Sequence, residues 1–208
     1  MASALSGVNL YLLGLPGAGK SSVGRALAAV LPGYTFVDTD DLLALAEPRV
    51  PTSPPGLGAD PRLSSPFLSI PEIFSTKGEP YFRTLESRVL HGVSATTSNS
   101  VVSTGGGILE DPNNWFCLRS GVSIYLRVDP EAIRRRLKKE PGQRPLLTDD
   151  DGGYASEEEK ERRALKKIQV LLERRRGEYE KADYTVDVIE GRDVKGVVED
   201  IITAITLS

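Results

Sequence analysis

Apolar and polar positions alternate in blocks along this chain, and the blocks read as strands and helices in turn. Val8-Asn9-Leu10-Tyr11-Leu12-Leu13 is an apolar, β-prone run. From Lys20 to Leu31, Val23, Leu27, Ala28 and Leu31 recur at helical spacing, and Pro32-Gly33 ends the helix. Tyr34-Thr35-Phe36-Val37 predicts a second strand, and Leu42 to Ala46 a short helical turn. Ser69 starts a helix, with Pro71 near the first turn and Glu72 at capping-box spacing; Gly78-Glu79-Pro80 breaks it. Phe82, Leu85, Val89 and Leu90 then share a face of a helix over 81–93. Strands follow at Ser100 to Ser103, Ser123 to Val128 and Tyr184 to Val188. Helices follow from Asp111-Pro112 (Trp115 and Leu118 inward), from Asp129-Pro130 through Leu137, from Glu157 to Lys181, and from Val194 to Ile205. Five strands with helices between them predict an α/β fold with a parallel sheet of βαβ units.

Two stretches break the pattern. Residues 47–68 hold Pro48, Pro51, Pro54, Pro55, Gly56, Gly58, Pro61 and Pro66, which predict an insertion loop. Residues 138–156 are polar and hold Pro141-Gly142 and Gly152-Gly153, which predict an exposed segment.

Composition narrows the partners. With 26 basic against 29 acidic residues the net charge is −3, so general affinity for nucleic acid or an anionic membrane is not expected. At 208 residues the chain is one domain, or a domain with a lid. Its single cysteine, Cys117, cannot form an internal disulfide and suits a reducing compartment as a packed thiol. No run approaches the roughly 20 apolar residues of a membrane span. The first strand begins within about eight residues of the N-terminus, which leaves no room for a targeting peptide.

Chemistry concentrates at strand ends. Gly14-Leu15-Pro16-Gly17-Ala18-Gly19-Lys20-Ser21 fits the phosphate-loop pattern at every fixed position, between a strand and a helix. Its glycines let backbone N–H groups turn toward an anion, and the helix dipole points to the same place. Lys20 can reach the β- and γ-phosphates of a nucleotide, and Ser21 can place its hydroxyl on Mg²⁺. Strand two delivers Asp38 and Asp40. In extended backbone these face the same side, one for Mg²⁺ and one for an acceptor hydroxyl. The alternative is that Asp38 ends the strand and Asp40 caps the next helix. Strand three delivers Gly105-Gly106-Gly107, where three glycines predict close approach of a ligand or of another backbone. In an open parallel sheet these C-terminal strand ends converge.

Taken together, these residues resemble the shikimate kinase family of phosphate-loop folds. The resemblance rests on Gly14 to Ser21, Phe36-Val37-Asp38-Thr39-Asp40, Ile73-Phe74, Gly78-Glu79 with Phe82-Arg83 and Glu86, and Ser103-Thr104-Gly105-Gly106-Gly107. It rests also on Arg144-Pro145-Leu146-Leu147 and on Arg175 four residues before Tyr179. Asn114-Trp115 is similar to the plant and cyanobacterial branch. The resemblance implies a three-layer αβα domain with a five-stranded parallel sheet in the order 2-3-1-4-5. It spans residues 1–208, with insertion loop 47–68, substrate-binding helices 69–94 and a mobile lid 138–156. It implies transfer of the γ-phosphate of ATP to the 3-hydroxyl of shikimate, by a monomer in the cytoplasm, or in the plastid stroma if the source is a plant or alga. Gly17, Ala18, Gly19, Lys20, Ser21 and Ser22 would bind nucleotide, with Arg136 beside adenine. Ser21 and Asp38 would serve Mg²⁺, Asp38 through water and with a part in deprotonation, and Asp40 would bind the ring hydroxyls and orient the attacking one. Arg83 and Arg175 would clamp the substrate carboxylate, with Glu86 holding Arg83. Gly105, Gly106 and Gly107 would line the substrate site, and Arg144 would neutralise the transferred phosphoryl group. Gly177 stands where the family carries proline, so the second clamp residue is Arg174, Arg175 or Arg176. A gluconate-kinase-like enzyme and a non-catalytic relative of the family are the competing expectations.

Overall fold

A computed structural model describes residues 7–48, 66–138 and 156–207. The predicted insertion 47–68 and lid 138–156 therefore lie outside the described residues except at their ends, and Arg144 lies outside them altogether. The sheet has five strands, all pairs parallel, in the order β2-β3-β1-β4-β5. These are β1 Leu10–Leu13, β2 Thr35–Asp38, β3 Ser100–Ser103, β4 Val122–Val128 and β5 Tyr184–Val188. The central strands β1 and β3 are buried at every position, as strands covered on both faces must be. Edge strand β5 instead alternates, with Val186 and Val188 inward.

The helices are α1 Lys20–Val30, α2 Thr39–Ala46, α3 Ile70–Lys77, α4 Glu79–Thr96, α5 Asn114–Leu118, α6 Pro130–Lys138, α7 Glu157–Tyr179 and α8 Val194–Thr206. The main core gathers β1, β3 and β4 with the inward faces of α1, α6, α7 and α8. A smaller cluster of Leu43, Ile73, Phe82 and Leu85 binds α2, α3 and α4 to one another. That cluster makes these three helices one block beside the C-terminal edge of β2 and β3.

Local signals explain most boundaries. Ser69 forms the capping box with Glu72, whose Oε2 accepts the Ser69 N–H at 2.8 Å. Gly78, at φ 82°, ends α3 and begins α4, so the predicted break is a tight corner. Two expectations need correction. The helix after β2 starts at Thr39, not Leu42, because Asp38 caps it by accepting the Asp40 N–H at 3.0 Å. Asp111-Pro112 does not open α5 directly: a 3₁₀ turn, Ile108–Glu110, comes first and the helix begins at Asn114.

Candidate functional site

Strands β1 and β3 are neighbours, while the chain leaves β1 for β2 on one side and β3 for β4 on the other. The crevice between their C-terminal ends is the switch point where an open sheet takes its ligand. A cleft of about 310 Å³ opens there, lined by Gly17, Gly19, Lys20, Ser21, Ser22, Asp40, Ser103, Thr104, Arg136 and Leu137.

The loop before α1 wraps this cleft. Gly17 and Gly19 have φ 80° and 91°, which L side chains rarely adopt. The first turn of α1 carries no acidic residue, so no carboxylate of its own helix offsets the dipole there. Lys20 is 8% exposed, and its Nζ donates to Gly14 O at 2.8 Å and Leu15 O at 3.0 Å. Ser21 Oγ lies 3.4 Å from Ser103 Oγ, which joins the loop to the end of β3. Arg136 comes from α6 and donates to Gly17 O and Ala18 O, so it lies against the loop and lines the cleft.

The backbone does not give Asp38 and Asp40 the expected shared side: of the two, Asp40 alone lines the cleft. The backbone is not extended through both, because Asp40 already belongs to the first turn of α2. That turn brings Asp40 to the cleft wall, while Asp38 is buried as the helix cap. The hydroxyl of Ser21 and the carboxylate of Asp38 are hard oxygen donors. Among the described residues no group of three or more His, Cys, Asp or Glu could hold a metal by itself. This donor set fits Mg²⁺ held jointly with phosphate and water rather than in a protein cage.

The glycine triplet is the hub. None of its three residues has positive φ, so chain reversal does not explain them. Close packing does. A methyl on Gly105 would fall on Glu86 Oε1, 3.3 Å from Asp40 Oδ1. On Gly106 it would lie 2.5 Å from the Pro16 ring, and on Gly107 2.6 Å from Arg83 Cζ. The groups that approach are thus the protein's own, from the phosphate loop, α2 and α4. The Gly105 N–H donates to Thr39 Oγ1 at 3.0 Å. The Gly106 N–H makes no hydrogen bond among the described residues, while its carbonyl accepts from Arg175 Nη1 at 2.8 Å and from the Tyr179 hydroxyl.

Both arginines that the resemblance selected reach the triplet. Arg83 donates to Glu79 Oε1 at 2.9 Å and to Glu86 Oε2 at 2.5 Å. Burial pushes the Glu86 carboxyl up to about 7; Arg83 opposes this and Asp40 adds to it. Of Arg174, Arg175 and Arg176, only Arg175 points inward, one turn before Tyr179 on the same face of α7. Arg174 has a side chain 60% exposed. Three groups here had no role assigned in advance: Thr39 and Ser103, which lie inside the quoted motifs, and Glu110, which lies in none. Glu110 Oε1 accepts Arg175 Nε at 2.9 Å and also Nη2, and its Oε2 accepts Arg174 Nη2. Burial tends to raise the Glu110 carboxyl, but the hydrogen bond and charge of Arg175, with Arg83 and Arg174 behind, hold it below the usual range. The one advance signal was an acid placed three residues beyond a glycine triplet, in a chain with three consecutive arginines to match it.

A family model described as shikimate kinase matches residues 65–206. The shikimate kinase of Synechococcus sp. strain RCC307 is 39% identical over 198 residues, which is 95% of this chain and 84% of that one. The shikimate kinase of Gloeobacter violaceus is 44% identical over 143 residues, 69% of each chain. Among solved structures, shikimate kinase from Acinetobacter baumannii in complex with shikimate aligns with a TM-score of 0.76 at 28% identity, over 100% of this chain and 98% of that one. The shikimate kinase of Bacteroides thetaiotaomicron aligns with a TM-score of 0.74 at 28% identity, over 96% and 98%. The parallel sheet, the phosphate loop and the arginines around the glycine triplet agree with these likenesses: the chain belongs to the shikimate kinase family.

Proposed function

We propose that this chain transfers the γ-phosphoryl group of ATP to the 3-hydroxyl of shikimate, releasing ADP and shikimate 3-phosphate. One observation carries the reading. At a single glycine triplet, an anion-binding loop packs on Gly106, the Arg83 guanidinium on Gly107, and the Arg175 guanidinium on the Gly106 carbonyl. A molecule seated there has its carboxylate between two planar cations and a hydroxyl beside Asp40, facing the nucleotide's terminal phosphate.

The residues divide the work. Backbone N–H groups of Gly17 to Ser22 and the Lys20 ammonium hold the phosphates, and Arg136 flanks the nucleotide. Asp40 binds ring hydroxyls, orients the attacking one and accepts its proton. Mg²⁺ would be held by Ser21 and, through water, by Asp38; bound there it offsets phosphate charge. Arg83, Arg175 and the Gly106 N–H position shikimate, and Gly105 and Gly107 give them room. Arg144 would add positive charge at the transferred group, within a lid over 138–156. The substrate-binding helices 69–94 and the insertion 47–68 belong to the same single domain. The acting unit in this reading is a monomer. Among the described residues no helix is long and apolar enough to cross a membrane. Buried Cys117 goes with a reducing compartment, the cytoplasm or a plastid stroma.

A coupled ADP-release assay with shikimate, gluconate and nucleoside monophosphates tests the reading. ADP release should depend on shikimate. Release driven by gluconate instead, or nucleotide binding with no acceptor-dependent turnover, would overturn it.

A further inference from the structure

Glu110 closes the 3₁₀ turn after the glycine triplet and belongs to none of the motifs by which the site was read. Its two oxygens face two arginines of α7. Oε1 takes the Nε–H of Arg175 and an Nη2–H, Oε2 takes Arg174, and the Gly106 carbonyl takes Arg175 Nη1. Three of the five N–H donors of the Arg175 guanidinium, one on each nitrogen, are thus fixed, two on Glu110 and one on the Gly106 carbonyl. A guanidinium held at Nε, Nη2 and Nη1 cannot turn about its terminal side-chain bonds. Its orientation is set before any ligand arrives. Arg83 is held in the same manner by Glu79 and Glu86.

From this geometry we infer that Glu110 is a positioning residue for the acceptor substrate's carboxylate, acting through Arg175 and with Arg174 as its second anchor. The inference rests on the shikimate-phosphorylating reading above.

A carboxylate beside an anion site would also repel the substrate, so the sign of its effect must be decided. Two guanidinium groups cover its two oxygens, so the cluster of Glu110, Arg174 and Arg175 stays net positive. Arg175 itself is 4% exposed and has little water to replace a lost partner. Orientation therefore outweighs repulsion, and removing Glu110 weakens carboxylate binding.

Steady-state kinetics of Glu110→Ala and Glu110→Gln, with each substrate varied in turn, test this. Glu110→Ala should raise the shikimate KM about 10-fold, with kcat and the ATP KM nearly unchanged. Glu110→Gln keeps an acceptor and should show a smaller rise in the same parameter; it carries the test if the alanine variant does not fold. A general loss of packing would instead lower kcat or raise both KM values together. If the wild type phosphorylates shikimate and both variants keep its shikimate KM, or lower it, the positioning role is wrong. A wild type with no shikimate-dependent turnover overturns the kinase reading, and this inference with it.

Discussion

Glu86 sits against a cation and still holds its proton more tightly than an ordinary carboxyl. It is 3% exposed, and loss of hydration is the largest effect on it, larger than the pull of Arg83, while nearby Asp40 pushes the same way as burial. A buried acid whose folded pKa is raised to about 7 binds a proton that the unfolded chain has already released above about pH 4.5. Between those values the native state holds more protons, so this residue's contribution to stability falls as pH rises and levels off above about 7. Denaturant titrations of wild type and Glu86→Gln should therefore converge or cross on going from pH 5 to pH 7.5. The wild-type advantage should shrink by about 2–3 kcal/mol. An advantage that stays constant or grows with pH would show that Arg83, not burial, controls the group. Glu86 was readable beforehand, because it lies three residues after Arg83 and one helical turn joins them. Glu110 was not, because its contact with Arg175 spans 65 residues and nothing local in either segment names the other.

The glycine triplet gains its meaning only as part of an element, the turn that leaves β3. A run of three glycines announced close approach, but not from which side or by what. The answer needed three other elements to arrive: the phosphate loop at Gly106, α2 with α4 at Gly105, and α4 at Gly107. Alanine at each position should fail differently. Gly106→Ala drives a methyl to 2.9 Å from the backbone nitrogen of Pro16 as well as into its ring, and backbone cannot step aside cheaply. It should raise the KM for ATP and for shikimate together, each by about 10-fold or more. Gly107→Ala meets the far end of the Arg83 side chain, which can move. The fold should survive and only the shikimate KM should rise. Equal effects of the two variants on both substrates would mean that the turn is a general spacer. The start of α2 gives the opposite lesson. Asp38-Thr39-Asp40-Asp41 carries a cap residue and first-turn acids, a legible helix start, yet the strand before it favoured extended geometry. The expected shared side of Asp38 and Asp40 rested on an extended backbone, whereas the helix begins at Thr39 and turns residues two apart away from each other.

At the scale of the whole molecule, alternating apolar blocks made the layers legible, because strands buried on both faces can be little else than the middle of a parallel sheet. The order of those strands was not in the blocks; it came with the family resemblance, since pairing is decided by contacts distant in sequence. That order creates two neighbouring half-sites on one rigid edge. The phosphate loop hangs from β1 and α1, while Arg83 on α4 and Arg175 on α7 reach the turn after β3. The two halves meet at Pro16 and Gly106 and share the main core, into which α7 packs Ile168, Leu172 and Tyr179, so the fold should build both before any ligand binds. Nucleotide at 100 times its Kd stabilises a folded chain by about 2.7 kcal/mol. For a chain of this length that is about 5–10 °C in Tm. In a thermal-shift experiment ATP with Mg²⁺ should give a rise of this size, and shikimate alone a smaller one. Lys20→Ala should abolish most of the nucleotide shift, because its Nζ is the cation held inside the loop, yet it should leave the shikimate shift intact. Loss of both shifts in that variant would mean that the carboxylate half is not built by the fold but assembled by the nucleotide.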